Sequence, residues 1–278
     1  MTPQILISEV EGLFSLPKVY LKVRESINDP KSTINDVALI VSQDPNIAAQ
    51  ILKIANSAFF GFATKIESIP RAIFIMGLAQ LQDIVLAASA INAFKGISSD
   101  LINMKDFWVH SVFCAAIARL LAQKSNVIDS ERLFVCGILH DLGHLVIYVK
   151  CPNQASKILS QAKQGHEPVV LLEKEILGFD YAEVSGELLK SWKLPASLYE
   201  TVANHVQLKC DERFSLDSAI IHIANILVLQ DESPKTGISA PNLDLHALQL
   251  TGLTEEDLDL IKLEARRSLA EILKLFFT

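Results

Sequence analysis

Several hallmarks of common functional classes are missing from this sequence. Its 278 residues contain no Walker loop, no GxGxxG segment and no Ser-His-Asp nucleophile elbow, which argues against the chemistries that those motifs support. No run of Lys or Arg is dense enough to follow a phosphate backbone, and the net charge is −7, so nucleic-acid binding is not expected. The four cysteines have no CxxC spacing, and three of them are typical of small core residues.

Membrane targeting signals are also lacking. The first residues, MTPQILISEVEGL, have neither the basic start nor the apolar stretch of a signal peptide. The most apolar runs, such as VLAASAI and IIHIANILVL, are too short to span a bilayer. We therefore expect a soluble cytoplasmic protein that has no membrane partner.

Helical periodicity dominates what is present, and no convincing alternation of apolar and polar residues predicts a strand. Helix starts are indicated at Thr2-Pro3, at Thr33 with Asp36 as a capping box, and at Leu194-Pro195. The predicted fold class is all-α, with about twelve to fifteen helices of ordinary length.

The chain reads as a single domain over residues 1–278 with three parts. A soft break at residues 95–99 separates an N-terminal helical subdomain, residues 1–98, from a central helical core, residues 99–230. The segment DESPKTGISAPN begins the third part, residues 231–278, as a surface loop before two final helices.

Polar residues lie on helix faces that should point inward. His110 lies on the apolar stripe of its helix, His140 follows Cys136 by one turn, and His205 shares a face with apolar neighbours. Asp141 adjoins His140, and Asn225 lies in a helix that is apolar nearly all round. Imidazole and carboxylate groups from different helices of a bundle suit a divalent cation, which would activate water and polarise a phosphoryl oxygen.

A structural interpretation of the same residues stays open. A single histidine on an apolar helix face is more often a hydrogen-bonded core residue than a metal ligand. The three histidines and Asp141 together, at helical spacings in one compact segment, are more specific than any one of them.

At these residues the sequence resembles the HDOD family, the HD-related output domains of bacterial signalling proteins. The resemblance covers nearly the whole chain, from about residue 16 onward. It rests on the segments SQDPNIAAQILKIANSAFFGF, IPRAIFIMGLAQLQDIVL, FWVHS, GILHDLGHL, SGELLKSWKLP and ANHV. The resemblance implies a multi-helix HD-like bundle related to the HD-GYP metal-dependent phosphohydrolases, with a degenerate HD-like core and no fused receiver or catalytic output domain.

The departures from the catalytic relatives concern the metal ligands that the resemblance implies. His110, His140 and Asp141 match the first three ligand positions, and His205 matches a later one. Tyr181 stands at a histidine position, Asn225 at the closing aspartate, and His144 at the lysine that follows HD-x-G. No GYP signature follows His205.

Each departure weakens the metal site for a physical reason. The phenol of Tyr181 is a poor ligand at neutral pH because its ordinary pKa is about 10, and Asn225 removes one negative charge. We expect no resident cofactor, or at most one divalent metal (Mn, Fe, Mg, Ni or Zn), held by His110, His140, Asp141 and His205. If the protein is an enzyme, Asp141 and His144 would be its catalytic residues.

Three functions remain open at this stage. The first is a non-catalytic signalling protein that acts through unidentified protein partners. The second is a metal-dependent phosphohydrolase of a nucleotide, a cyclic dinucleotide or a phosphomonoester. The third is a sensor that binds a small ligand, such as a nucleotide, without hydrolysing it. The sequence leaves the partner, the pathway and the oligomeric state undetermined.

Overall fold

The described part of the chain is entirely helical. The computed structural model describes residues 1–10, 14–61, 65–94, 97, 100–165, 167–208 and 213–277, and within them there are fifteen helices and no strand. The predicted all-α class is confirmed. The helices are α1 (Pro3–Ser8), α2 (Lys18–Asn28), α3 (Ile34–Ser42), α4 (Pro45–Ala55), α5 (Ile69–Phe94), α6 (Met104–Lys124), α7 (Ser130–Leu139), α8 (Leu142–Lys150), α9 (Pro152–Gly165), α10 (Val169–Leu177), α11 (Tyr181–Ser191), α12 (Ala196–Asn204), α13 (Ser215–Thr236), α14 (Leu245–Thr251) and α15 (Glu255–Phe277).

The three predicted helix starts are confirmed, two of them by side-chain caps and the third by the position of Pro195. The Thr33 hydroxyl accepts the Asp36 backbone N–H, and the Asp36 carboxylate accepts the Thr33 backbone N–H at 2.8 Å, which completes the capping box. α1 begins at Pro3 with the Thr2 side chain as its cap, and α12 begins directly after Pro195. Each start therefore follows from a local backbone preference that the sequence displays.

The chain forms two compact units. Unit 1 comprises Met1–Leu13 and Ser98–Arg266, and unit 2 comprises Phe14–Ile97 and Arg267–Thr278. The break expected at residues 95–99 lies almost wholly outside the described residues, as does Cys210. The assignment of all 278 residues to a single domain stays a prediction.

Unit 2 packs α2, α3 and α4 with α5. Phe14 and Phe94 stack at 4.9 Å between ring centroids, and the Ala58 backbone N–H donates to Glu271 of the C-terminal segment. α5 is broken at Gly77, whose φ of 83° and ψ of 165° are accessible to glycine almost alone. The Gly-Leu step in the HDOD-like segment therefore marks a change in helix direction.

Unit 1 is held together where helix backbones touch. A Cβ added to Gly137 of α7 would lie 2.4 Å from the Ala115 Cα of α6. A Cβ added to Gly143 of α8 would lie 2.0 Å from the Tyr181 carbonyl oxygen of α11. These two contacts bring together the four helices that surround His140 and Asp141.

Two stretches have the length and composition of membrane spans. They are Ile69–Phe94 and Ser130–Lys150, and 83% of the most apolar window of the second is buried inside the protein. Both stretches are longer than the uninterrupted apolar runs of the sequence because small and polar residues extend the helical segments. The second stretch covers α7 and α8. Burial of this extent is typical of the core helices of a folded domain.

Replacing Gly137 by Ala should lower the free energy of unfolding by about 1–3 kcal/mol, because the new methyl group would overlap the α6 backbone. Gly165→Ala is the matched control, since the nearest atom to its added Cβ is 3.7 Å away. Urea unfolding followed by far-UV circular dichroism would measure both variants. Equal stability of the two variants would contradict the close contact between α6 and α7.

Candidate metal and ligand site

Four histidine and carboxylate positions predicted from the sequence converge in unit 1. His110 comes from α6, His140 and Asp141 form the junction between α7 and α8, and His205 directly follows α12. All four are buried, and His140 and His205 are fully inaccessible to solvent. Asn225 of α13 is buried beside them and is 4% exposed.

The ligand atoms of His110, His140 and Asp141 all lie within 4.8 Å of one another. The Nε2 atoms of His110 and His140 are 3.4 Å apart. Two imidazole nitrogens that bind one ion at ~2.1 Å are separated by about 3.0–3.4 Å for bond angles between a right angle and a tetrahedral one. These three residues therefore fit one divalent ion.

Hydrogen bonds fix the orientation of both imidazole rings. Nδ1–H of His140 donates to the Gly137 carbonyl oxygen at 2.8 Å, and Nδ1–H of His110 donates to the Glu232 carboxylate at 3.0 Å. The Nε2 atoms are thus directed at each other. Metal-binding histidines are commonly oriented in this way by a carbonyl or carboxylate on the far nitrogen.

The two rings differ in how readily they take a proton. Burial and the neighbouring His110 lower the pKa of His140 to about 4. Burial also opposes charge on His110, but the hydrogen bond to Glu232 and the charge of Asp141 outweigh it and raise the pKa of His110. A proton on Nε2 of His110 can therefore donate to His140, in the position that an ion would otherwise occupy.

A further histidine, His144 of α8, also contacts Asp141. Nδ1 of His144 is 2.7 Å from Asp141 Oδ1, and its Nε2 is 3.1 Å from Glu173 Oε1 of α10. Burial alone would lower the pKa of His144, but the nearby acidic groups, Asp141 and Glu173 among them, raise that pKa well above 6.5. His144 thus lies between two carboxylates, and its ring stacks on the ring of Tyr181 with 4.0 Å between the centroids.

The residues that depart from the catalytic pattern, Tyr181 and Asn225, form hydrogen bonds with each other and with His205. Nδ1–H of His205 donates to the Val202 carbonyl oxygen at 2.6 Å, which leaves Nε2 as an acceptor for the Tyr181 hydroxyl at 3.1 Å. The Asn225 amide donates to the same hydroxyl at 2.7 Å. Burial, reinforced by the Asp141 charge, raises the pKa of Tyr181 well above 10, so the phenol keeps its proton for His205.

These bonds engage His205 but leave one amide oxygen unpaired. Nε2 of His205 accepts the Tyr181 hydroxyl, and His205 is not among the residues whose ligand atoms lie within 4.8 Å of one another, which are His110, His140 and Asp141. Asn225 Oδ1 is buried and has no hydrogen-bond partner among the described residues. A buried acceptor without a hydrogen-bond partner is unusual in folded proteins.

Asn225 is also one of the residues that line a cavity of about 1060 Å³, and every residue that lines it belongs to unit 1. Its polar floor, as we use the term, consists of His110, Asp141, His144, Tyr181, His205 and Asn225. Apolar residues of α9, α10, α13 and the segment after α13 form its walls. They include Leu159, Val170, Leu171, Ile226, Leu229 and Ile238.

Two carboxylates of the site, Glu232 and Glu173, were not predicted from the sequence. Glu232 could have been found, because it lies on the helical stripe of Asn225 and Leu229 on α13. Glu173 is 1% exposed within VVLLEKEIL, where an acidic residue inside an apolar helix needs a partner. His144, predicted as a catalytic residue only for an enzyme, is placed between Asp141 and Glu173.

Comparison with known proteins agrees with this architecture. The HDOD domain profile matches residues 13–208. This helical bundle with a histidine-aspartate pair at its centre is thus an HD-like domain, and the chain belongs to the HDOD family.

Three solved structures share the fold along nearly the whole chain. A candidate phosphohydrolase from Shewanella amazonensis SB2B is 26% identical, with a TM-score of 0.73 over 98% of this chain and 97% of its own. An HDOD domain protein of unknown function from Geobacter sulfurreducens is 22% identical, with a TM-score of 0.75 over 99% and 98%. A candidate signal transduction protein from Marinobacter aquaeolei VT8 is 19% identical, with a TM-score of 0.70 over 96% and 60%.

A curated relative, an uncharacterized protein of Treponema pallidum (strain Nichols), is 24% identical over 247 residues, which is 86% of this chain. The chain spans 47% of the length of that relative.

Tyr181→Phe should lower the free energy of unfolding by about 1–3 kcal/mol, because buried groups of His205 and Asn225 would lose their partner. Tyr148→Phe is the control, since the Tyr148 hydroxyl has no hydrogen bond to the described residues. Chemical denaturation would measure the difference. A Tyr148→Phe loss as large as the Tyr181→Phe loss would count against the network.

Acid should destabilise the metal-free protein. Burial lowers the pKa of His140 to about 4 and of His205 to about 3 from 6.5, so the unfolded state binds more protons between those values and 6.5. Stability therefore falls with falling pH, by about 2 kcal/mol per histidine from pH 7 to pH 5.

Denaturant unfolding at several pH values would measure this slope. His205→Gln should make it shallower by about 2 kcal/mol over the same range. A slope that His205→Gln does not alter would mean that this histidine is not held neutral by the fold.

Proposed function

We propose that this protein is a bacterial, cytoplasmic signalling regulator that acts through protein partners and does not hydrolyse phosphate esters. The observation that carries the proposal is the closed network of Tyr181, His205 and Asn225. Residues that would bind a second metal ion in a catalytic relative are here bound to one another.

The network removes what a two-metal site needs. The lone pair of His205 accepts the Tyr181 hydroxyl, and Tyr181 is a neutral phenol rather than an imidazole. Asn225 supplies an amide where the resemblance implies a carboxylate, so the charge available to a second cation is reduced. His144, an imidazolium on the other side of Asp141, repels a further cation.

The signalling role rests on family membership and on a relative. The HDOD family comprises HD-related output domains of bacterial signalling proteins, and the chain belongs to this family. The relative from Marinobacter is named a candidate signal transduction protein. A regulator of this kind uses the folded domain as a binding surface, and a buried site whose side chains are linked by hydrogen bonds helps to keep that domain rigid.

A second function is favoured by one specific observation. His110, His140 and Asp141 still fit one divalent ion, and the relative from Shewanella is named a candidate phosphohydrolase. An ion bound by these three residues would lower the pKa of a bound water and polarise a phosphoryl oxygen. Glu232 would orient His110, and Gly137 would orient His140, for such an ion.

Metal titration and an activity panel separate the two functions. Chelator-treated protein should bind no more than one Mn²⁺, Fe²⁺ or Zn²⁺ per chain by calorimetry. It should show no hydrolysis of bis-p-nitrophenyl phosphate, cyclic dinucleotides or nucleotides above the level of His140→Ala. Turnover that depends on metal and is lost in His140→Ala and in the milder His110→Gln would overturn the regulatory proposal.

Restoring the metal-ligand residue types at positions 181 and 225 provides a sharper test. Tyr181→His combined with Asn225→Asp should raise the metal stoichiometry by one ion, because it returns an imidazole, frees His205 and adds a carboxylate. Tyr199→His combined with Asn153→Asp makes the same chemical changes outside the site and should leave the stoichiometry unchanged. Equal stoichiometry in the two double variants would mean that the network is not what limits metal binding.

Complementation of a strain that lacks the protein tests the regulatory role in the native cell. A strain that lacks the protein should recover its phenotype when it is given the His140→Ala or His110→Gln variant. Failure of both variants, each of them folded and present at the normal level, would assign the biological role to the metal site.

A further inference from the structure

We propose that residues 238–244 form a lid at the opening of the cavity of unit 1, and that His222 is the latch that keeps this lid closed. The lid joins α13 to α14, and six of its seven residues line the cavity. The proposal concerns how molecules enter the cavity. It does not depend on whether the protein binds a metal ion or hydrolyses phosphate esters.

The lid lies where the cavity meets solvent. Asn242 and Asp244 line the cavity and are exposed, and residues 239–241 line it and are half-buried. By contrast, Ile226 of α13 lines the same cavity and is buried. A residue that both lines a cavity and is exposed lies at its opening, so the lid borders the route by which a molecule enters.

Little holds the middle of the lid in place. Among the described residues, no backbone N–H or C=O group of residues 239–243 has a hydrogen-bond partner. Four of these five side chains, those of Ser239, Ala240, Pro241 and Asn242, are small or polar and offer little apolar surface for packing. A segment with few hydrogen bonds and few buried apolar contacts opens at a low cost in free energy.

The first end of the lid is anchored next to a flexible residue. Ile238 packs against an apolar cluster formed by Ile158, Ala162 and Leu172 of α9 and α10. Gly237, directly before it, has a φ of 72°, and a Cβ added there would meet no atom within 4 Å. Hinges are commonly a few residues at the end of a helix that can absorb a change in backbone angles. Gly237, directly after the end of α13, meets this description, and we assign it as the hinge.

The second end of the lid is joined to α13 by one hydrogen bond. The backbone N–H of Asp244 donates to Nε2 of His222 at 3.1 Å, and Nδ1–H of His222 donates to the His205 carbonyl oxygen at 2.8 Å. The second bond determines the tautomer, because Nδ1 carries the proton and Nε2 is left as an acceptor. The latch residue therefore connects the lid with the residue whose ring binds Tyr181.

Labelling of a thiol inside the cavity tests whether the lid closes. Ile226 lies one turn after His222 on α13 and is 3% exposed, so a thiol introduced by Ile226→Cys is covered while the lid is closed. The full-length variant would be treated with the thiol reagent DTNB, and the parent protein would give the background rate of the native cysteines. The new thiol should react on the order of a hundredfold more slowly than in the same variant unfolded in urea, because reaction requires opening.

Two variants in the Ile226→Cys background remove the latch from opposite sides. Asp244→Pro removes the N–H donor at a residue whose φ of −73° suits proline, and His222→Phe removes the acceptor. Each should raise the labelling rate by roughly fivefold, the factor that corresponds to one ordinary hydrogen bond. Asp244→Ala is the matched control, because it loses the side-chain cap on the His246 N–H but keeps the backbone donor, and it should leave the rate unchanged.

The lid proposal fails unless both latch variants, each with wild-type circular dichroism, label faster than the control. A rate in Asp244→Ala as high as in Asp244→Pro would assign the effect to the cap of α14. Labelling of the Ile226→Cys protein at the rate of the unfolded chain would mean that no closed state exists. These outcomes are independent of the metal titration and the activity panel, so the lid and the regulatory role can fail separately.

Discussion

The cost of burying a carboxylate beside histidines governs this structure. Asp141 lies at the junction of α7 and α8, away from solvent, and an uncompensated charge there would be expensive. His144 compensates it on one side, and His110 and His140 face it on the other. Glu173 of α10 contacts His144, and Glu232 of α13 contacts His110. His110 of α6, His140 at the end of α7 and His144 of α8 thus surround this one carboxylate.

The same constraint explains why the substituted positions fit together. A carboxylate at position 225 would add a second buried negative charge near Asp141 and would need a cation or a proton to be stable in this interior. A tyrosine and an asparagine need only each other and His205, because phenol, amide and imidazole form a neutral chain of hydrogen bonds. The protein thus keeps a polar centre that needs no ion, although one buried acceptor, Asn225 Oδ1, has no hydrogen-bond partner among the described residues.

The sequence predicted the helical class and several helix starts because both depend on local preferences: apolar spacing, the Thr33 capping box, and prolines at first turns. It also placed His110, His140 and His205 inside, since each follows an apolar helix face. It did not reveal that Tyr181 engages His205 or that Glu173 and Glu232 join the site. Those contacts link residues 24 to 122 positions apart, and only the packing of helices determines them. The expected ligand set and the single-domain assignment stay predictions.

The contact between Gly137 and Ala115 has a consequence for ion selectivity. It lies one turn before His140 and one turn after His110, so the touching backbones determine how far apart the two imidazole nitrogens are. Side-chain rotation cannot widen that gap, because both rings are held at Nδ1. Ca²⁺, which needs six to eight oxygen ligands at about 2.3–2.6 Å, is disfavoured by the two nitrogen donors. Selectivity would thus come from the type of ligand, while the methyl-free position on α7 holds the two nitrogens at a separation that one ion can bridge.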